Sequence, residues 1–206
     1  MKPFHSVSAA RPDRRRLAWL SALLLAAAVL SLAPPTARSA DAAGPSACPA
    51  LLDVSFPRLQ DEAPQHLCQY RGKVLLVVNT ASYCGYTRQY EGLERLYARY
   101  RERGLVVLAF PSNDFGQQEP GTKEQIADLC FNTYGVKFPI FSKSVVKGEG
   151  ANPLFAALAQ ATGQPPKWNF HKYLVARDGK PVASFPSAVE PTDARVIREI
   201  EKLLAG

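Results

Sequence analysis

Residues 74–82, Val74-Leu75-Leu76-Val77-Val78-Asn79-Thr80-Ala81-Ser82, and the five that follow, Tyr83-Cys84-Gly85-Tyr86-Thr87, decide how this chain is read. The unbroken apolar run from Val74 to Val78, rich in β-branched residues, predicts a strand buried on both faces, as in the interior of a parallel sheet. The small and polar residues after it predict a loop, and a helical pattern takes over near Thr87. In open α/β sheets, the loop at the carboxyl end of such a strand is where chemistry is placed. Cys84 stands in that loop. A thiol close to a helix amino terminus feels the positive end of the helix dipole, which lowers its pKa and raises its thiolate fraction.

Outward from this stretch, Tyr90, Leu93, Leu96, Tyr97 and Tyr100 recur at spacings of three and four, which predicts an amphipathic helix over Thr87–Arg103. Gly104 stops it, and Leu105–Phe110 is a second apolar run of strand type. Strand, helix and strand in this order predict a right-handed βαβ unit. Both strands then end at one crevice, so the loop Pro111–Gly121 arrives beside Cys84. Thr122 and Gln125 form a capping-box pair that opens a helix running to about Phe131. Ile126, Leu129 and Cys130 share its apolar face, and on residues alone Cys130 reads as a buried core thiol.

Phe138–Phe141 is a short extended piece, and Asn152-Pro153 starts a helix to about Thr162. Phe170–Ala176 and Pro181–Phe185, joined across Asp178-Gly179, predict an antiparallel hairpin, and Pro191–Leu204 a final helix. The order βαβ–α–ββ–α predicts an α/β protein of thioredoxin-like fold. It has a central mixed sheet, an N-terminal extension and a helix inserted before the hairpin.

The amino-terminal end is of another kind. Arg14-Arg15-Arg16, an apolar stretch from Leu17 to Ala33, Pro34-Pro35 and then Ala40-Asp41-Ala42 predict a secretory signal peptide over residues 1–42. Cleavage is expected after Ala42, with Ser39 the second choice, and leaves no stable membrane span. The expected location is therefore outside the cytoplasm, in a periplasm. Residues 43–70, broken by Pro45, Pro49, Pro57 and Pro64, form a loop-rich lead-in with a short hairpin, and 71–206 form the main domain.

Six of the 25 basic and two of the 18 acidic residues lie before Ala43, which leaves 19 against 16 in the remainder. No basic cluster interleaved with aromatics is left, which argues against a nucleic-acid partner. Export into an oxidising compartment permits disulfides. A Cys48–Cys68 bridge would close a loop of about 20 residues and contribute about 3 kcal/mol in the chain-entropy picture. Neither C-x-x-C nor a Cys/His metal spacing occurs, and the histidines are His5, His66 and His171, so no metal and no cofactor is expected.

Three further positions ask for a chemical role. Gln118 lies in a loop aimed at the crevice, and Trp168-Asn169 precedes the hairpin. Amide and indole N–H groups are uncharged donors suited to a thiolate or a developing oxyanion. Taken with Gly72–Ser82, Cys84-Gly85 with Thr87, Phe110-Pro111 to Gly121 (FPSNDFGQQEPG) and Trp168-Asn169-Phe170, the chain from about Leu51 onward strongly resembles the glutathione peroxidase family in its cysteine-containing branch.

That resemblance implies a thiol peroxidase. Cys84 would be its peroxidatic cysteine, Gln118, Trp168 and Asn169 the rest of a catalytic tetrad, and Cys130 the resolving cysteine of thioredoxin-dependent members. The implied substrates are hydrogen peroxide and organic or lipid hydroperoxides, and the implied reductant is a thioredoxin-like protein or glutathione. The family's FPCNQFG reads FPSNDFG here, with Ser112 and Asp114 as departures. Only Gln164-Pro165-Pro166-Lys167 separates Gly163 from Trp168, so the loop that tetrameric members use for assembly is missing, which implies a monomer with an open site.

Other chemistries fit less well. A cysteine hydrolase would need a histidine base near Cys84, and neither His66 nor His171 carries a motif for it. A dithiol oxidoreductase would need a second thiol where Thr87 stands. A redox sensor using the same Cys84–Cys130 pair to oxidise a partner protein is the alternative function.

Overall fold

The computed structural model describes residues 47–206, and the predicted signal peptide over residues 1–42 lies outside them. The lead-in forms an antiparallel pair, β1 (Ser55–Pro57) and β2 (Pro64–His66). Cys48 and Cys68 are joined as a disulfide with their Cα atoms 5.6 Å apart, within the span such a bridge needs. The bridge ties the first described residues to the turn after β2.

Next comes β3 (Val74–Thr80), buried at every position. Helix α1 (Gln89–Tyr100) crosses from it to β4 (Leu105–Pro111), which pairs parallel with β3 from Val74↔Leu105 to Thr80↔Pro111. Helix α2 (Lys123–Ala127) follows, and then α3 (Pro153–Thr162). The hairpin β5 (Lys172–Val175) and β6 (Pro181–Phe185) completes a sheet of order β4-β3-β5-β6, and α4 (Ala194–Ala205) closes the chain. Strand β5 runs antiparallel to β3, so the sheet is mixed as expected.

Alternation along β3 divides the core. Val74, Leu76 and Val78 face α1 and α4, where Tyr90, Leu93, Val196 and Ile200 cover them. Leu75 and Val77 face α3 and the lead-in, against Phe155, Leu52 and Leu67. Each such side chain, once fully buried, contributes about 1.5–3 kcal/mol relative to exposure. Because the strand is covered on both sides, the loop at its carboxyl end leaves from a rigid base.

Three helices differ from the expectation in their bounds, each for a local reason. Helix α1 starts at Gln89, not Thr87, because the Thr87 hydroxyl is occupied by the preceding loop, donating to the Ala81 carbonyl and accepting from the Cys84 N–H. Its expected end, Arg101–Arg103, is a separate 3-10 turn that stops at Gly104, whose φ of 104° suits glycine. The last helix starts at Ala194, where the Asp193 side chain caps it by accepting from the Arg195 N–H. The third difference matters most. The Thr122–Gln125 capping box opens α2 as expected, but α-helical geometry ends at Ala127 and Asp128–Thr133 continues as a π-helical turn. Such turns are rare and are frequent at functional sites.

Candidate active site

Cys84 is half-buried in the turn between β3 and α1. Its Sγ accepts a hydrogen bond from the Tyr86 N–H at 3.4 Å, and its own N–H donates to Thr87 Oγ1 at 3.1 Å. Helix α1 begins only at Gln89, more than a turn away, and the dipole effect fades over that distance. The positive group that meets the sulfur is therefore a backbone amide of the turn. Tyr83, beside it, is 66% exposed, so the sulfur lies at an open mouth.

Gln118 and Asn169 are brought together. Asn169 Nδ2 donates to Gln118 Oε1 at 3.0 Å and to the Phe115 carbonyl at 3.4 Å. That contact fixes which way the Gln118 amide faces, since its acceptor end is taken by Asn169 and its NH2 is left to donate. The Gln118 carbonyl accepts from the Tyr83 N–H at 3.0 Å, which fastens this loop to the residue before Cys84. Trp168 is 37% exposed, with its ring against Gly116 and 6.0 Å from that of Phe115. Among the described residues, no side chain of Gln118, Trp168 or Asn169 hydrogen-bonds the Cys84 sulfur directly.

The backbone is bent hard on both sides of this pair. Gln117 and Phe170 have φ of 51° and 63°, left-handed values that cost a non-glycine residue about 1–3 kcal/mol. Phe170 is held there from two directions. Its N–H donates to the Asn79 carbonyl, and its carbonyl accepts from Lys172 Nζ, both at 2.6 Å. Asn79 Nδ2 also donates to the Trp168 carbonyl at 3.1 Å.

Cys130 lies in the π-helical turn, wholly buried in the core shared with α1. Burial pushes its thiol up to about 12, so it is neutral at ordinary pH. Cys84 packs against the same core, and the two sulfurs are unbonded. Between their segments lies a cleft of about 220 Å³, lined by Ser82 and Tyr83 on one side, Gln125, Asp128 and Leu129 on the other, and Glu119.

Sequence reasoning missed four residues here. Glu119 is fully buried, and burial raises its carboxyl above the ordinary range. Tyr90, buried beside Cys130, is raised far above its ordinary value, chiefly by burial. Lys172 is fully buried, and burial lowers its ammonium to about 7. Asn79 looked like one more strand residue. Their only sequence signal was polarity inside or beside an apolar run. Asp114, whose role the sequence left open, accepts from the Val146 N–H at 2.6 Å and so pins the loop. Ser112 accepts from the Asp114 N–H within the same turn.

Comparison with known proteins bears on the family and the fold. A family model described as glutathione peroxidase matches residues 53–159. The chain is 47% identical over 154 residues to the hydroperoxy fatty acid reductase gpx1 of Synechocystis sp., covering 70% of this chain and 90% of that protein. It is similar to the crystal structure of GPX1 from T. cruzi, with a TM-score of 0.61 and 31% identity over 76% of this chain and 97% of that one. A thioredoxin-family thiol:disulfide interchange protein from Chlorobium tepidum shares the fold, with a TM-score of 0.57 and 14% identity over 73% of this chain and 92% of that one. The fold is thus thioredoxin-like, as expected.

Proposed function

The chain belongs to the glutathione peroxidase family and is a thiol peroxidase, and we propose that it runs a two-cysteine cycle on hydrogen peroxide and on organic and lipid hydroperoxides. The Cys84 thiolate attacks the distal peroxide oxygen, the O–O bond breaks, and the sulfur becomes a sulfenic acid as water or an alcohol leaves. The Tyr86 N–H supports the thiolate, while the Gln118 NH2, Asn169 and the Trp168 indole meet the peroxide and the leaving oxygen. Cys130 then attacks the sulfenic sulfur to give a Cys84–Cys130 disulfide and water. A thioredoxin-like dithiol protein, or two molecules of glutathione, then reduces that disulfide and is itself oxidised to a disulfide.

The observation that carries this reading is the Asn169–Gln118 contact at 3.0 Å, which leaves a donor free on a loop fastened to the residue before an amide-supported thiol. Lipid hydroperoxides are included because the site mouth is open and because a relative is a hydroperoxy fatty acid reductase. The short turn after α3 supports a monomer, and the basic–apolar–small pattern of residues 1–42 supports export to a periplasm.

One equivalent of peroxide added to the reduced protein should give a Cys84–Cys130 link by peptide mass spectrometry, beside an unchanged Cys48–Cys68 link. Cys130→Ser should still form the sulfenic acid yet lose turnover with a thioredoxin-type reductant. Wild-type turnover in that variant would remove Cys130 from the cycle. Gln118→Ala should slow the first step about 100–1,000-fold, as loss of one preorganised donor does, without unfolding the protein. An unchanged peroxide rate would take Gln118 out of the site.

A further inference from the structure

Glu119 is the least settled group in the structure. It is fully buried, and neither carboxylate oxygen holds a well-formed hydrogen bond among the described residues. An unpaired buried carboxylate is costly, and natural proteins seldom keep one without a use. Lys143 favours the charged form of Glu119 from a distance but makes no ion pair with it. Lys143 Nζ is occupied by the backbone carbonyls of Glu119 and Gly121, at 3.2 and 3.1 Å. The Ser82 hydroxyl and N–H lie close to the carboxylate without closing good bonds.

Its position is as informative as its isolation. Ser82 belongs to the Cys84 loop, and Glu119 lines the cleft that separates this loop from the turn bearing Cys130. The Tyr90 hydroxyl, also without a well-formed bond, lies between the Cys130 thiol and Thr80, within the field of Glu119. Cys130 is neutral, so an attack by its sulfur requires something to take the proton. Tyr90 is also hard to ionise, chiefly because it is buried, and can pass a proton without keeping it.

We infer that Glu119 is the proton acceptor for the resolving step, taking the Cys130 thiol proton as the turn opens and returning it to the oxygen that leaves Cys84. The inference rests on the two-cysteine reading above. The Cys130 sulfur attacks the Cys84 sulfur, the S–S bond forms and the S–O bond of the sulfenic acid breaks. One sulfur is oxidised and the other reduced by equal amounts. The thiol proton moves to the Glu119 carboxylate and then to the departing hydroxide, so one water is released and no outside reactant is needed.

The ionised carboxylate is the working form, so the step should quicken as pH rises through a carboxyl value above the ordinary range. Other titratable and charged groups face Glu119. They are Tyr83 on the loop, Tyr90 on α1, Asp128 and Cys130 on the turn, and Lys143 after β4. Glu119→Gln keeps the shape of the side chain and removes the proton site, so it isolates the effect.

The test is a single-turnover experiment on the full mature protein with hydrogen peroxide. Samples are quenched over time and across pH, and Cys84 sulfenic acid and Cys84–Cys130 disulfide are counted by mass spectrometry. Glu119→Gln should accumulate the sulfenic acid, form the disulfide about 100-fold more slowly, and lose the pH dependence of that step. Glu119→Asp should restore the pH dependence in part. A disulfide that forms in Glu119→Gln at the wild-type rate with the wild-type pH profile overturns the inference and leaves the two-cysteine cycle standing. A wild-type protein that forms no Cys84–Cys130 link at all overturns both.

Discussion

Cys84→Ser should reduce hydroperoxide turnover to the rate of the protein-free reaction. The substitution is nearly isosteric, and the Tyr86 N–H at the side chain can donate to an oxygen as readily as to a sulfur. Stability should therefore change by no more than about 1 kcal/mol, as for a conservative substitution at a half-buried position. The chemistry changes entirely, because a serine hydroxyl carries almost no anion at neutral pH and none of the neighbouring groups is placed to make it one. Cys130 cannot stand in. It is buried and held neutral, with its thiol raised to about 12, and no peroxide can reach it in the closed structure. Peroxide consumption coupled to a dithiol reductant measures the loss, and thermal unfolding of the reduced protein checks the fold. If more than about a tenth of the activity remained, the nucleophile would lie elsewhere.

The second large effect is on stability against pH, and it arises from two neighbours on the hairpin. His171 and Lys172 are both buried, and burial lowers both, His171 to about 4 and Lys172 to about 7. For a base with a lowered folded pKa, the unfolded chain binds more protons between the two values, so stability rises with pH across that window. The Lys172 window opens near 7, and the Cys130 thiol begins to act in the opposite sense above its ordinary value of 9.0. Between about pH 7 and 9 the protein should thus gain about 2–3 kcal/mol.

His171 acts lower, between about 4 and its ordinary 6.5. Glu119, with its raised carboxyl, opposes part of that lower rise. Urea unfolding at a series of pH values reads both windows. Lys172→Met should flatten the upper one, whatever it does to the absolute stability by leaving the Phe170 carbonyl without its partner. An upper window that is flat in the unsubstituted protein would mean that Lys172 is not titrating from the buried state.

What could be read from the residues was whatever local chemistry decides. The run from Val74 announces a strand covered on both faces, because only burial explains so many apolar residues in succession. Thr122 with Gln125 and Asn152 before Pro153 announce helix starts, because capping is a contact within one turn. The Asp178-Gly179 turn announces the hairpin for the same reason. What escaped depends on partners far along the chain. Thr87 fits a helix start until its hydroxyl is seen to bind Ala81 and Cys84.

The π-helical turn has no local signature at all. Nothing beside Lys172 says that its ammonium will bind a carbonyl inside the protein rather than reach water. Within the site, Cys84, Gln118, Trp168, Asn169 and Cys130 could be pointed to. The contact between Gln118 and Asn169, and the isolation of Glu119, could be found only in three dimensions.

Asn79 joins the two halves of that lesson. Its carbonyl holds the Phe170 N–H and its side chain holds the Trp168 carbonyl, so a residue of the central strand grips the segment on both sides of Asn169. That segment is a loop by shape alone, since mechanically it is part of the sheet. The Cys130 side is built otherwise, on the π-helical turn Asp128–Thr133. In the proposed cycle the centre would work like a vice with one fixed jaw and one that travels. The strand would set the zero of the scale, and the whole stroke would fall on a single short turn.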